Sequence, residues 1–365
     1  MSCPISCYCG MVVKCRCNCT AKENRTPNAT RLVYVLLLGA AETGKSTMMR
    51  QMKIIHDNGM STLTLRSYKN HVIRNVYNCL KLLIRAVLES GISWSTEEAS
   101  QASNVLNGLS AIAWGLQDEE SSTAISMALV PAAHSRLASI IWNDDAAQQC
   151  WSKANEYNLP DSTAYYLSEV ERISNDTYIP TQEDVLRLRL PTKAVAVYDF
   201  THKDWTFQIT DVGGQRGERR RWIRLFDGIH AIIFLAALSE YDQFWSDEEE
   251  DGINRLELSL RLFRETVRYW GFSRSTFILF LNKVDVLGQK ITTSHLNSYF
   301  PDYYGPQRDA QRAIKYIKEK FMTAAIDLDR SVYAHETCAT DTDRTKFIFT
   351  AVRDHILWSN IGDFF

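Results

Sequence analysis

Gly39-Ala-Ala-Glu-Thr-Gly-Lys-Ser46 is a Gly-x-x-x-x-Gly-Lys-Ser run, and its residue types suit the binding of phosphate groups. Gly39 and Gly44 let the backbone turn sharply and aim N–H groups at phosphate oxygens. The helix expected to start here adds partial positive charge at its first turn. Lys45 can reach β- and γ-phosphates, and the Ser46 hydroxyl suits a magnesium ion. Ala40, Ala41, Glu42, Thr43 and Thr47 complete the backbone cradle. Far downstream, Asn282-Lys-Val-Asp285 can name the base. The Asp285 carboxylate, expected to be buried, can accept hydrogen bonds from the N1–H and exocyclic amine of guanine. Adenine lacks that donor pair and would leave the acid unpaired. Thr337-Cys-Ala-Thr340 fits a further loop whose backbone, at Cys338 and Ala339, meets the base. Between these lies Asp211-Val-Gly-Gly-Gln-Arg216. Asp211 stands where a carboxylate on the metal side belongs, Gly213 and Gly214 let an N–H approach a γ-phosphate, and Gln215 can orient an attacking water.

These groups need rigid elements to hold them. The apolar run Leu32–Leu38 leads into the first loop, and Thr47–Lys53 continues it as a helix. Strand-like runs recur near 194–200, 205–210, 230–238, 277–281 and 332–336, alternating with helical stretches. That order predicts an α/β fold with a doubly wound, mostly parallel sheet, whose ligand site lies beyond the strand C-termini. Residues 58–182 instead carry helical apolar spacing, clearest over Tyr68–Arg85 and again near 121–142 and 163–174. They read as an all-helical domain inserted into a nucleotide-binding domain made of 31–57 and 183–365. The acidic run Asp247–Asp251 reads as a solvated lead-in to a helix near 253–268.

Bulk properties narrow the function classes. A net charge of −2 without a Lys/Arg-rich run gives no nucleic-acid footprint. The longest apolar stretches are strand-sized, far short of the roughly 20 residues that span a bilayer, and no secretory h-region follows the first residues. Of nine cysteines, Cys3, Cys7, Cys9, Cys15, Cys17 and Cys19 crowd the N-terminus. Three readings stay open: thioacylation, with Cys3, Cys7 and Cys9 as first candidates; a Cys-x-Cys metal tail; or a disordered tail over 1–30 with incidental thiols. The three Asn-x-Thr sequons at Asn18, Asn24 and Asn28 are incidental in a reduced, cytosolic setting.

The motifs together resemble the alpha subunit of heterotrimeric G proteins over about residues 31–365. The resemblance rests on the phosphate loop, Tyr178-Ile-Pro-Thr-Gln-Glu-Asp-Val-Leu-Arg-Leu-Arg189, Asp211–Arg216, Asn282–Asp285 and Thr337-Cys-Ala-Thr-Asp-Thr342, in that order and spacing. It implies a Ras-like P-loop GTPase fold with the inserted helical domain, and slow hydrolysis of GTP to GDP and phosphate as a timer. Arg189 becomes the built-in arginine finger, with Arg187 the decoy, and Gln215 positions the water. Thr192 joins Ser46 on Mg²⁺. Asp161, Ser162, Leu186, Arg187 and Leu188 reach the nucleotide from the helical side. The implied partners are a beta-gamma dimer, a G-protein-coupled receptor and an effector of unspecified kind. The implied place is peripheral, at the cytoplasmic face of the plasma membrane. Arg219-Arg-Arg-Trp222 resembles the second switch helix, and Lys346–Trp358 the receptor-engaging helix.

The chain departs from the family pattern at several points. Residues 1–30 lack the charged amphipathic helix that docks beta-gamma, and Ser2 replaces the glycine that myristoylation needs. The C-terminus lacks the cysteine of a pertussis-type ADP-ribosylation site. Ala41 replaces a loop glycine, and Pro191 and Ala194 replace a basic residue and a glycine in the first switch. Ala41 predicts slow turnover, and Ala194 predicts weaker docking of GTPase-accelerating proteins. These changes keep a second reading open, a GTP-loaded interaction scaffold with little turnover. A P-loop kinase or ATPase is disfavoured by Asn282–Asp285.

Overall fold

A computed structural model describes residues 31–108, 132–190, 195–214, 228–245, 252–326 and 330–360. Six strands form one sheet in the order β2-β3-β1-β4-β5-β6: β1 Arg31–Leu38, β2 Ala196–His202, β3 Trp205–Asp211, β4 Ala231–Ala237, β5 Thr276–Asn282 and β6 Val332–Glu336. Only the β2–β3 hairpin is antiparallel. The other pairings are parallel, so the C-termini of β1, β3, β4 and β5 open onto one edge. This is the P-loop α/β architecture expected from the alternating pattern.

Burial on both faces explains why the central strands read as continuous apolar runs. Every residue of β4 is buried. On one face Leu36, Leu38, Phe234 and Leu279 pack with the helix Arg255–Arg268 and the helix Ala310–Ile326, where Phe263 meets Phe234 and Phe321 edge-on at 5.2 and 5.3 Å. On the other face Val33, Val35, Ile209 and Ile278 pack with α1 (Lys45–His56) and the C-terminal helix Thr342–Asn360. Each such fully buried side chain contributes about 1.5–3 kcal/mol. A separate core belongs to the helices between β1 and β2. It is built on α2 (Lys69–Ser90), whose Val72, Val76, Leu80, Leu83 and Val87 face inward, and includes Ala138, Ala146, Tyr166, Val170 and Val185. The helical pattern near 121–142 resolves into Ala132–Trp142, residues 121–131 lying outside the described residues. That near 163–174 splits into Thr163–Ser168 and Val170–Ile173.

Where α1 ends against the C-terminal helix, the His56 ring stacks on Phe200 at 4.0 Å and meets Phe349 edge-on, and its Nε2 is buried without a hydrogen-bond partner among the described residues. Burial, with Arg353 and His202 nearby, pushes its pKa below the usual histidine value. The unfolded chain binds this proton near pH 6.5 and the folded chain binds it only at lower pH. Stability linked to His56 is therefore full above that range and is lost as pH falls through it. We expect His56→Phe, which keeps the stack, to show a smaller drop in melting temperature between pH 7.5 and 5.5 than the parent. Equal drops would remove His56 from the acid response.

Candidate functional site

The phosphate loop leaves β1 and turns at Gly39 (φ 141°) and Gly44 (φ 101°), with Glu42 also at positive φ (66°). A side chain at Gly44 would collide with the Asn282 amide, and one at Gly214 would collide with Lys45 and the Ala40 carbonyl. Gly44 needs glycine because of its positive φ and the Asn282 amide packed against it, and Gly214 because the Ala40 backbone approaches there. The buried Lys45 ammonium donates to the carbonyls of Gly39 and Ala40, at 2.9 and 2.6 Å. Thr43 donates back to Ala40 at 3.0 Å. The ammonium is thereby centred over the loop, where phosphate oxygens would meet it.

At the C-terminal end of β3, Asp211 is 1% exposed and its Oδ2 accepts from the Ser46 hydroxyl at 3.1 Å. Its Oδ1 has no hydrogen-bond partner among the described residues. Burial raises its carboxyl pKa, partly opposed by Lys45, Ser46 and Arg50. A buried carboxylate with one orphaned oxygen beside a hydroxyl suits a hard divalent cation that takes its remaining ligands from phosphate and water. These residues thus fit Mg²⁺. No cluster of three or more His, Cys, Asp or Glu suited to a metal occurs among the described residues. Thr192 and Gln215 lie outside the described residues, together with Pro191, Ala194, Arg219–Trp222 and the N-terminal cysteines.

The base end is tied together by Asn282. Its Nδ2 donates to the Thr43 carbonyl at 2.9 Å, and its Oδ1 accepts from Ala339 N–H at 3.0 Å and from the Thr337 hydroxyl at 3.2 Å. One buried amide thus fastens the phosphate loop to the 337–340 loop. Its hydrogen bonds go to protein, so its role is to position both loops. Lys283 adopts the left-handed region (φ 62°, ψ 39°), rare for a residue with a side chain, as it enters the helix Val284–Lys290. Its ammonium reaches Asp161 at 2.8 Å, linking sheet and helical domain across the cleft. Burial would raise the Asp161 carboxyl and lower Lys283. Each outweighs this for the other, so Asp161 is held low and Lys283 high. Asp285 is exposed, contrary to the burial expected of it, because it sits in the first turn of a helix at the mouth of the cleft. Cys338 is close enough for Asp285 to help burial raise its thiol pKa, so the two base-side loops converge.

Arg189 is placed by residues that sequence reading missed. The Asn75 side chain of α2 grips its backbone both ways, accepting its N–H at 3.0 Å and donating to its carbonyl at 3.3 Å. Arg50 of α1 donates to the carbonyls of Val185 and Leu188, at 3.1 and 2.9 Å, and Thr47 donates to that of Leu186 at 3.1 Å. Leu186 and Leu188 bury their side chains and offer only backbone here. Upstream, Thr181 and Asp184 form a reciprocal capping box for the short helix Gln182–Leu186. The buried Asp184 also receives Arg172, Tyr165 and Tyr178. The Arg189 guanidinium pairs with Glu42, whose other oxygen lies 3.2 Å from buried Arg255. Arg255 also approaches Glu240 at 3.1 Å and lies 4.4 Å from the centre of the Trp245 ring. Burial would raise Glu42, but Arg255, Arg189 and Lys283 hold it below the usual carboxylate range. Arg187 turns instead to Glu183 at 2.9 Å and over Tyr165 at 4.5 Å. Ser162 begins the helix Thr163–Ser168, half-buried beside Asp161.

One cleft between sheet and helical domain therefore gathers a caged ammonium, a hydroxyl–carboxylate pair, a guanidinium on the loop, and two converging base-side loops. A family model described as the G-protein alpha subunit matches residues 18–356, nearly the whole chain.

Proposed function

The chain belongs to the G-protein alpha subunit family, GTP-binding signalling proteins that hydrolyse GTP, and on that premise we propose a switch that relays signals from G-protein-coupled receptors to effectors. The observation that best supports this is the seating of Arg189. Its backbone is clamped by Asn75 and its side chain is anchored on the phosphate loop by Glu42. A guanidinium at that place can meet charge developing between the β- and γ-phosphates.

Hydrolysis forms a bond from the water oxygen to the γ-phosphorus and breaks the bond to the β–γ bridging oxygen, releasing GDP and phosphate. Lys45 and the loop N–H groups hold the phosphates. Gln215 orients the water, and Asp285 with Cys338 and Ala339 orients guanine. Ser46 and Thr192, with Asp211 behind them, would hold Mg²⁺, which neutralises phosphate charge when bound. The γ-phosphate orders residues near 189–194 and 213–222, and hydrolysis releases them. Beta-gamma, receptor and effector are the partners this role entails. No described helix is long and apolar enough to cross a membrane. Attachment at the inner face would rest on acyl groups at Cys3, Cys7 and Cys9, two chains holding where one does not.

Ala41 favours a second reading, the GTP-loaded scaffold. A methyl group in the loop disturbs the tight hydrolytic transition state more than ground-state binding, which uses backbone donors. Single-turnover hydrolysis beside GDP release separates the two. Ala41→Gly is expected to raise the hydrolysis rate several-fold with GDP release unchanged. No gain, or a loss, would remove the main support for slow turnover.

A further inference from the structure

Among the described residues, strand β6 is the outermost strand on its side of the sheet and pairs with β5 alone. Thr337 donates its N–H to Leu281 of β5 at 2.9 Å. Alternation along a parallel strand then turns Tyr333 and His335 toward β5, and turns the peptide groups of Ala334 and Glu336 outward. The Arg344 guanidinium donates to the Glu336 carbonyl at 3.1 Å, as that geometry requires, and so closes one end of the outer edge. The stretch below it, centred on Ala334, presents N–H and C=O groups with no neighbouring strand among the described residues. Proteins that leave such an edge open leave a template for another extended chain.

Two grooves flank this edge. On the side of the helix Ala310–Ile326, a groove of about 420 Å³ is lined by Gln311, Arg312, Lys315, Lys318 and Glu336. Neither Arg312 nor Lys318 has an ion-pair partner among the described residues, and Lys315 has only a loose one to Glu319 at 3.9 Å. On the side of the C-terminal helix, a groove of about 400 Å³ is lined by Ala351, Asp354, His355, Trp358 and Ser359, the Asp354 carboxylate being paired with Arg353 at 2.7 Å, and the Tyr333 ring centre lies 3.6 Å from that of His355. An added strand would therefore send alternate side chains to a cationic face and to an aromatic face. Glu336 is the one acid in the cationic groove, and it lies at the end that Arg344 closes. Ala334, the residue on the same face lower down, is small and leaves room beside it for a cross-strand partner.

We propose that the outer edge of β6 is a docking site for an extended segment of a partner protein with acidic residues at alternate positions. The segment adds a seventh strand. Its backbone pairs with Ala334, its carboxylates lie on the Arg312, Lys315 and Lys318 side, and its intervening apolar side chains lie against Tyr333 and His355. Main-chain pairing supplies binding, and the alternating pockets supply specificity. This site is at the opposite edge of the sheet from β2 and owes nothing to the nucleotide roles assigned above.

The test uses the full chain loaded with GDP and two fluorescein-labelled peptides, Thr-Glu-Val-Glu-Val-Glu-Thr and the same peptide with lysine for glutamate, followed by anisotropy. The acidic peptide is expected to bind at least about tenfold tighter than the lysine peptide, and to weaken as salt rises. N-methylation of alternate amides on its pairing edge should abolish binding. Arg312→Glu with Lys318→Glu should weaken it about tenfold. Ala334→Pro should do the same by removing the outward N–H, with unchanged melting temperature and GDP binding as the check on folding. Equal binding of the two peptides, or binding that survives N-methylation, would overturn the proposal. So would phosphatidylserine vesicles binding through Arg312 and Lys318 while the acidic peptide does not, which would assign the patch to a lipid surface.

Discussion

Arg189→Cys should slow single-turnover GTP hydrolysis by about three orders of magnitude and change GTP affinity by only a few-fold. An arginine finger acts on charge that develops only as the β–γ bond breaks, so its removal is felt in the rate and barely in binding. The geometry sharpens this expectation. The Arg189 backbone is held by Asn75 and the preceding carbonyls by Arg50 and Thr47. The substitution therefore removes the guanidinium and leaves the segment clamped. Glu42 loses one cation but keeps Arg255 at 3.2 Å, so its carboxylate on the phosphate loop stays paired. Gln215→Leu should give a comparable loss through the water. If both variants hydrolyse at the parent rate, the assigned roles fail.

Asp285→Asn should weaken GTP binding by about a thousandfold and bring xanthosine triphosphate into the range GTP held. A carboxylate accepts from guanine N1–H and the exocyclic amine, whereas an amide presents a donor that matches the xanthine carbonyl. Sites built to pair a specific donor set reject the wrong edge by factors of about 10⁴. Asp285 is exposed at the mouth of the cleft and beside Cys338, so substitution there leaves the core intact. Asn282, by contrast, joins two loops through three hydrogen bonds. Its loss would lower affinity for every nucleotide without changing the ranking. Competition among GTP, ATP and xanthosine triphosphate reads both effects, and an unchanged guanine preference in the Asp285 variant would exclude it as the base reader.

The sequence by itself determined what local physics encodes. Buried strands such as Ile232–Leu235 are apolar without alternation because both sheet faces are covered, and helices such as Lys69–Ser90 carry their 3.6-residue period in plain view. The phosphate loop is legible because its backbone path admits only glycine at Gly44, where φ is 101° and Asn282 presses close. These signals lie within a few residues of one another, so neighbouring residue types suffice. The tertiary structure alone decided the rest. Asn75 holds Arg189 across a sequence separation of 114 residues, Lys283 meets Asp161 across 122, and Arg50 reaches Leu188 across 138. Glu42 is shared by Arg189 and Arg255 only because the loop, the helical domain and the helix after β4 converge on one point. Nothing in the residue types around Asn75 or Arg255 distinguishes a positioning residue from an ordinary helix-face residue. Nor does the tetrapeptide reveal that Asp285 is exposed while Asn282 is buried. Burial and pairing over such distances depend on how crossovers bring strand ends together, and a chain read in one dimension does not carry that.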